Sequence, residues 1–390
     1  MFMIYDVAIV GGGAAGLACA VRLLRQNSKL NIALIDAGER FGKKLASTGN
    51  GHGNVTNRNM SLEYYFSGNL DLVDKIALSS ERISLEDNLF HCILQADSAG
   101  RVYPVGKQAS ALVDSLLHEL RHAGVRTFLN NKVIDIDKNL NITLQSKEKI
   151  TAKHVVICTG GQAQKQFKTG GTSYLLARKL GHKLTSLYPS LVQLKTDTSF
   201  IRGLKGIRVD CEVSALSGGQ TIAKTHGDVI FTDYGVSGNA IFAISPYIVD
   251  KPGVTLSLDF LPLGDDEIIK DIEDKKRAGY SDTELLSGTL HNQLGRAIIR
   301  RSNSGEPKTI CYTAKNFTLT VLGTLGFDYA QVTRGGIAMD EITDELESKF
   351  VKNLFFAGEI LDVDGCCGGY NLHWAFASGY AVADSIIKRI

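Results

Sequence analysis

Hydrophobic positions near the start of the chain fall into two patterns of different period. Residues 4–10 ("IYDVAIV") form a short, mostly apolar run of the kind that buries both faces of a strand. After a glycine cluster, residues 14–26 ("AAGLACAVRLLRQ") carry their apolar positions at helical spacing, and "NIALID" at 31–36 predicts a second strand. Together they predict one β-α-β unit. At the other end, residues 354–357 predict a strand and the final segment a helix. On that helix Leu372, Phe376, Gly379, Ala383 and Ile387 share one face, and Lys388 and Arg389 suit its C-terminal end. Between these ends, residues 190–264 alternate like strands, 265–300 read as helices, and "KTICYTAKNFTLTVLG" (308–323) returns to strand-like alternation.

The glycine cluster "GGGAAG" joins the first predicted strand to the first helix. Gly11, Gly13 and Gly16 fit the spacing G-x-G-x-x-G, with Ala14 and Ala15 completing the turn. Gly11 permits a tight turn, Gly13 lets the backbone approach a pyrophosphate, and Gly16 lets helix and strand pack closely. Unpaired N–H groups at the helix start face such a ligand, and the helix dipole favours its negative charge. Asp36 ends the second strand, 20 residues after Gly16, where a carboxylate accepts hydrogen bonds from a ribose and excludes a 2′-phosphate. A glycine-rich turn without a ligand is the competing reading. Strand, helix, second strand and acid in the right order favour a dinucleotide.

Three further stretches extend this site. "GERFGKKLASTGNGHGNVTN" (38–57) is too rich in glycine, asparagine and small hydroxyl residues for a regular element, and reads as an ordered loop along a ligand. Ala37 precedes it, Lys43 and Lys44 are candidates to balance phosphate charge, and Ser47, Thr48, Gly49, Asn50 and Asn54 are candidate contacts. "KHVVICTGG" (153–161) runs an apolar strand into a small, glycine-rich turn. Such a turn either brings Thr159, Gly160 and Gly161 back beside a bound dinucleotide, the favoured reading, or simply ends the strand; Val133 is a further candidate. In the C-terminal segment, Gly358, Glu359 and Asp362 follow the strand, and Gly368, Gly369, Tyr370, Asn371 and Leu372 open the last helix. A flavin that accepts hydride gains negative charge over N1 and the C2 carbonyl, and a helix N-terminus aimed there stabilises the reduced form. Glu359 and Asp362 would lie near the ribityl hydroxyls.

Composition narrows the setting. The 390 residues are 44% hydrophobic and 22% charged, enough for more than one core. The 43 basic and 41 acidic residues leave a formal charge of +2, which provides no field to gather polyanions, so nucleic acid is not an expected partner. Seven irregularly spaced cysteines form neither a disulfide framework nor a metal pair, and a reducing, cytoplasmic setting with no metal is expected. The adjacent Cys366 and Cys367 read as small buried residues rather than a redox pair. The uncharged run at 7–21 lies between Asp6 and Arg22 and is interrupted by glycines, so no membrane association is expected. Oligomeric state is left open.

The segments "GGGAAG", "GKKLASTGNGHGNVTN", "FTDYGVSGNAI", "RGGIAMDEI" and "LFFAGEILDVDGCCGGYNLHWAFASGY" resemble, in order and over essentially the whole chain, those of the bacterial flavoproteins that include aminoacetone oxidase and the BaiN-like reductases. The resemblance implies an α/β fold: a Rossmann-type FAD-binding domain with an inserted β-barrel-like domain and a small inserted helical domain. The expected boundaries are 1–189 and 329–390 for the FAD-binding domain, 190–264 and 305–328 for the barrel, and 265–304 for the helical insert. Two positions depart from the family pattern. His52 and Gly53 stand where the family usually has a basic residue and Cys, and Asp233 and Asn239 stand where it usually has His and Pro.

His52, Tyr234 and His373 are the candidate catalytic residues, each with a plain structural role as the alternative. The implied activity is hydride exchange between FAD and a small organic substrate of amine or unsaturated carbonyl type, with reoxidation by oxygen or reduction by NAD(P)H. With one dinucleotide fingerprint, NAD(P)H would be a transient donor without a domain of its own. An RNA-modifying flavoprotein and a non-catalytic flavin-binding module are the alternatives.

Overall fold

The computed structural model describes residues 4–79, 90–167 and 171–390. The chain divides into two units, one built from both ends of the sequence up to Tyr188 and from Val332 onward, the other from Pro189–Gln331.

The first unit is organised by a seven-stranded sheet. β1 (Ile4–Val10) lies between β2 (Ile32–Ile35) and the strand Lys149–Ile157, parallel to both, and α1 (Ala14–Gln26) links β1 to β2. The strand Arg126–Phe128 adds in parallel beyond β2, and Leu354–Phe356 pairs in parallel with the end of Lys149–Ile157. Two antiparallel strands, Asn141–Leu144 and Val133–Ile136, finish the other edge. β1 is a buried strand because Val7, Ala8 and Ile9 are wholly shielded on both faces, which explains its unbroken apolar run.

The C-terminal helix Tyr370–Ile387 crosses α1 at close range. A Cβ at Gly379 would lie 2.4 Å from the Ala15 carbonyl oxygen, so this crossing depends on glycine. Burial around the helix is broader than the expected stripe, taking in Tyr370, His373, Trp374 and Tyr380, while Leu372 and Ile387 are only half-buried. Packing against α1 on one side and against the 74–78 turn on another covers nearly the whole circumference.

The second unit contains a closed six-strand barrel: Leu194–Thr196, Gly235–Ser237, Gln220–Phe231, Arg208–Ser217, Thr255–Asp259 and Phe317–Thr324, with the last pairing back to the first. Its core includes Val213, Val229, Phe231, Leu256, Leu258 and Phe317. The helices Asp265–Arg277 and Asn292–Ser302 lie between the last two strands.

Residues 307–315 depart from the expected strand, forming the helix Pro307–Lys315, and the strand starts only at Phe317. Pro307 occupies the first helical turn, where its missing N–H costs nothing, and Ile310, Cys311 and Ala314 are buried at helical spacing. The β-favouring Tyr312 and Thr313 imitate a strand locally; tertiary packing overrides that propensity.

Among the described residues no helix is long and apolar enough to cross a membrane.

Candidate functional site

The register of the parallel strands brings four chain segments to one edge of the sheet. Val10 pairs with both Ile35 and Ile157, and Ile157 pairs with Phe356. The residues that leave these strands, Gly11, Asp36, Thr159 and Gly358, therefore emerge together at the carboxyl edge, where open α/β sheets take their ligands.

Each fingerprint glycine has a geometric reason. Gly11 has φ +107°, and a Cβ there would meet the Cys158 carbonyl oxygen at 2.4 Å. At Gly16 an added Cβ would lie 1.9 Å from the Gly11 carbonyl oxygen. Gly13 is different: its Cβ would meet nothing within 4 Å, so the space in front of it is an open cradle. Asp36 holds the cradle in shape, its Oδ2 accepting from the Gly12 N–H at 2.7 Å and its Oδ1 from the Gly38 N–H at 2.6 Å. The carboxylate expected to meet a ribose thus also ties two turns, with lone pairs left on both oxygens.

The 38–57 segment is more regular than a plain loop. Leu45–Gly51 forms tight helical turns kinked at Thr48, and Gly49 and Asn50 adopt left-handed conformations. Thr48 Oγ1 donates to the Leu45 carbonyl and Ser47 Oγ to the Lys44 carbonyl, so both hydroxyls are spent on local turns. His52 is exposed at the end of these turns. The neighbouring Gly53 has φ +75°, and a Cβ there would lie 2.8 Å from Leu112 Cδ1 and 3.0 Å from Ala109 Cα.

The two lysines expected to balance phosphate charge are already paired. Lys44 Nζ lies 2.7 Å from Glu359 Oε2, and the half-buried Lys43 pairs with Glu39 at 3.2 Å. Through this pair Lys44 fastens the N-terminal loop to the C-terminal segment.

Three more contacts join the same two segments. Asn57 Nδ2 donates to the Gly368 carbonyl at 3.0 Å, and Asn54, with its amide oxygen toward Gly369, accepts from that N–H at 3.0 Å. His373 uses both ring nitrogens: Nε2 lies 2.6 Å from the Ala77 carbonyl oxygen and Nδ1 2.7 Å from Thr56 Oγ1. A carbonyl only accepts, so Nε2 carries the proton and Nδ1 accepts from the Thr56 hydroxyl. Burial holds the His373 imidazole below its ordinary range, partly offset by the Ala77 contact. His373 is therefore a neutral structural tie rather than a free acid or base.

At the start of the C-terminal helix, side chains are committed to the protein. Asn371 Oδ1 accepts from the Gly365 N–H at 2.9 Å and its Nδ2 donates to the Gly365 carbonyl at 2.6 Å. The Tyr370 hydroxyl donates to the Asn59 carbonyl at 3.3 Å, and its ring packs edge-on against Tyr65. What this end offers a ligand is its backbone, since the first N–H groups of a helix have no intrahelical acceptor. Cys366 is buried as expected, but Cys367 is exposed.

Glu359 and Asp362 lie in the same segment. Glu359 Oε1 accepts from the Thr333 N–H at 2.9 Å, and Thr333 Oγ1 accepts from the N–H groups of Gln162 and Ala163. Asp362 Oδ2 accepts from the Gly68 N–H at 3.3 Å. Burial raises the Asp362 carboxyl, against the lowering effects of Thr185, Gly68 and Arg334. Behind it, Arg334 forms a buried ion pair with Asp364, Nε to Oδ1 3.1 Å, its guanidinium 3.8 Å from the Phe66 ring centroid. Thr56, Thr333, Arg334 and Asp364 were not legible as site residues in the sequence, because their roles come from pairings more than 25 residues apart.

Tyr234 belongs to the second unit, half-buried beside Gly235, and its carbonyl accepts from the Thr196 N–H. Asp233 is exposed and ion-paired with Lys205, and Asn239 is exposed at the start of the helix Asn239–Ile244.

FAD fits this edge. Among the described residues Thr159 Oγ1, beside the Gly11 turn, is buried without a hydrogen-bond partner, and buried polar groups are rarely left so. With the open cradle at Gly13, the site offers a donor and a concavity that the protein does not fill.

The profile of the HI0933-like protein Rossmann domain matches residues 5–385. Over 98% of its length the chain is 29% identical to the 3-dehydro-bile acid delta(4,6)-reductase of Clostridium scindens, covering 99% of that protein. It is 28% identical to the ribosomal RNA dihydrouridine synthase of Haemophilus influenzae, covering 98% of each chain. In fold it is similar to a flavocytochrome c3 fumarate reductase (TM-score 0.52, 17% identity, 99% of this chain and 78% of that one). It is also similar to the 3-ketosteroid delta1-dehydrogenase of Sterolibacterium denitrificans (TM-score 0.52, 12% identity, 99% and 100%). With a profile match over nearly all of its length and a sheet edge shaped for a dinucleotide, the chain belongs to the HI0933-like family, as an FAD-dependent oxidoreductase of Rossmann-type fold.

Proposed function

We propose that the chain reduces a carbon–carbon double bond conjugated to a carbonyl in a small organic substrate, with NAD(P)H as a transient electron donor. Two relatives matched over nearly their full length support this reading. One is a delta(4,6)-reductase of a 3-dehydro acid and the other forms dihydrouridine, and both reactions saturate ring double bonds. The observation in the chain itself that carries it is the pairing of an open anion cradle at Gly13 with the backbone N–H groups of the helix Tyr370–Ile387 at the same sheet edge.

When bound, FAD supplies hydride transfer. The chain's own residues then have separable tasks. The Gly11–Gly16 turn binds the diphosphate through its amides, Asp36 accepts from the ribose, and Thr159 offers its hydroxyl. Glu359, held by Thr333 and Lys44, orients the ribityl chain together with Asp362. The helix start at 370–372 favours negative charge on whatever lies before it. His52 and Tyr234 are the remaining candidates for placing a proton on substrate; His373, with both nitrogens engaged, is set aside.

A second reading, in which the reduced ring is a uridine in RNA, is favoured by the full-length similarity to the dihydrouridine synthase. Anaerobic enzyme reduced with NAD(P)H, then mixed separately with a 3-oxo-4-ene steroid, with ribosomal RNA and with aminoacetone, distinguishes the cases by mass spectrometry of the products. Saturated steroid supports the proposal. Dihydrouridine formed without saturated steroid replaces it with the second reading, and a flavin bleached by aminoacetone but never reoxidised by an enone contradicts both. None of the seven cysteines is in a disulfide, which fits a cytoplasmic location.

A further inference from the structure

Tyr174 is 2% exposed, and among the described residues its hydroxyl has no hydrogen-bond partner. No motif of the sequence points to it. It lies on the helix Thr172–Lys179, which starts at Gly171 in a left-handed conformation pressed against Gln162; a Cβ at Gly171 would lie 2.6 Å from Gln162 Cγ. Gln162 follows the Thr159–Gly161 turn directly, and its N–H donates to Thr333 Oγ1 at 2.8 Å. Thr333 in turn donates to Glu359. The helix that carries Tyr174 is therefore fastened, link by link, to the two turns that form the FAD edge.

The charges around the phenol agree with this placement. Burial raises its ionisation most, and the charges of Glu359 and then Asp362 raise it further. The group stays a neutral O–H donor throughout the physiological pH range. Among the described residues neither carboxylate accepts a hydrogen bond from it. A buried hydroxyl with no acceptor destabilises the protein that contains it, and such groups in native proteins usually meet a ligand or water.

We propose that the Tyr174 hydroxyl donates a hydrogen bond to the ribityl or ring half of bound FAD, supplying a binding contact beside Glu359 and Asp362. The inference rests on FAD binding and is independent of which substrate is reduced.

Tyr174→Phe removes one oxygen and leaves the ring packing in place. Apoprotein of the variant is expected to match the wild type in thermal midpoint, because among the described residues the oxygen has no partner to lose. Its FAD dissociation constant, read by quenching of flavin fluorescence, should rise about tenfold, the effect of one neutral hydrogen bond. The dissociation constant for ADP, which carries only the diphosphate end, should not change. Unchanged FAD affinity overturns the proposal, as does an equal loss of ADP affinity. A variant that unfolds or melts lower as apoprotein also overturns it, by showing that the hydroxyl has a partner within the protein. Failure of wild-type apoprotein to bind FAD at all would instead overturn the family-level reading, so the two failures are distinguishable.

Discussion

Lys44 and Glu359 are separated by 315 residues in the chain and by 2.7 Å in space. Their side chains are 22% and 18% exposed, so the pair is largely withdrawn from water. One partner belongs to the glycine-rich loop after β2 and the other to the segment after the strand Leu354–Phe356. With Asn57–Gly368 and Thr56–His373, the pair closes the N-terminal end of the chain onto the C-terminal end.

Lys44→Met leaves the Glu359 carboxylate with the Thr333 N–H and no cation. The apoprotein should lose about 1–3 kcal/mol of stability in urea unfolding, the cost of stranding a mostly buried polar partner. Lys44→Arg should restore most of the loss. Equal stability of wild type and Lys44→Met would show that the pair does not fasten the two segments.

From the resemblance to the bacterial flavoproteins, Cys is the residue expected where this chain has Gly53. Its left-handed backbone and close approach to Ala109 and Leu112 make any side chain there strained and crowded. Gly53→Cys is expected to cost about 1–3 kcal/mol. Gly51, with φ +85° and open space around its missing Cβ, provides the control: Gly51→Ala meets only the backbone penalty, about 1 kcal/mol. If Gly53→Cys proves as mild as Gly51→Ala, the departure reflects no packing constraint.

Three buried histidines, His154, His182 and His373, all have imidazoles held below the ordinary value of 6.5, chiefly by burial. For each, the unfolded chain takes up a proton as pH falls through about 6.5 while the folded chain resists it. Stability is therefore unaffected by these groups above that range and declines below it. Each group adds at most about 1.4 kcal/mol per pH unit until its folded pKa is reached. Thermal midpoints of the apoprotein between pH 7 and 5.5 should fall, and His373→Gln should flatten part of the fall while lowering the midpoint at pH 7. An identical slope in the variant would remove His373 from this account.

Local pattern revealed the β-α-β unit because β1 and β2 are buried on both faces and Gly11 and Gly16 of the turn are required sterically, while Gly13 leaves open space. It misread 307–315, where Tyr312 and Thr313 imitate a strand and only packing of Ile310, Cys311 and Ala314 reveals the helix. The ion pair of Lys44 with Glu359 was not legible, since no local feature shows that two residues 315 apart lie within reach of each other. Tyr174 was invisible for a related reason: an aromatic on a short helix becomes distinctive only when its hydroxyl is seen to be buried and unpaired. His373 looked chemically available until Thr56 and Ala77 were found on its two nitrogens.

The most direct test of a single FAD bound through the Gly13 cradle is the visible absorbance of purified Gly13→Val. Its backbone angles, φ −83° and ψ −164°, accept a branched residue, and nothing in the protein lies within 4 Å of the added Cβ. The variant should therefore fold and yet be colourless, with the side chain occupying the space of the diphosphate. Folded Gly13→Val that retains the full flavin spectrum would contradict the account.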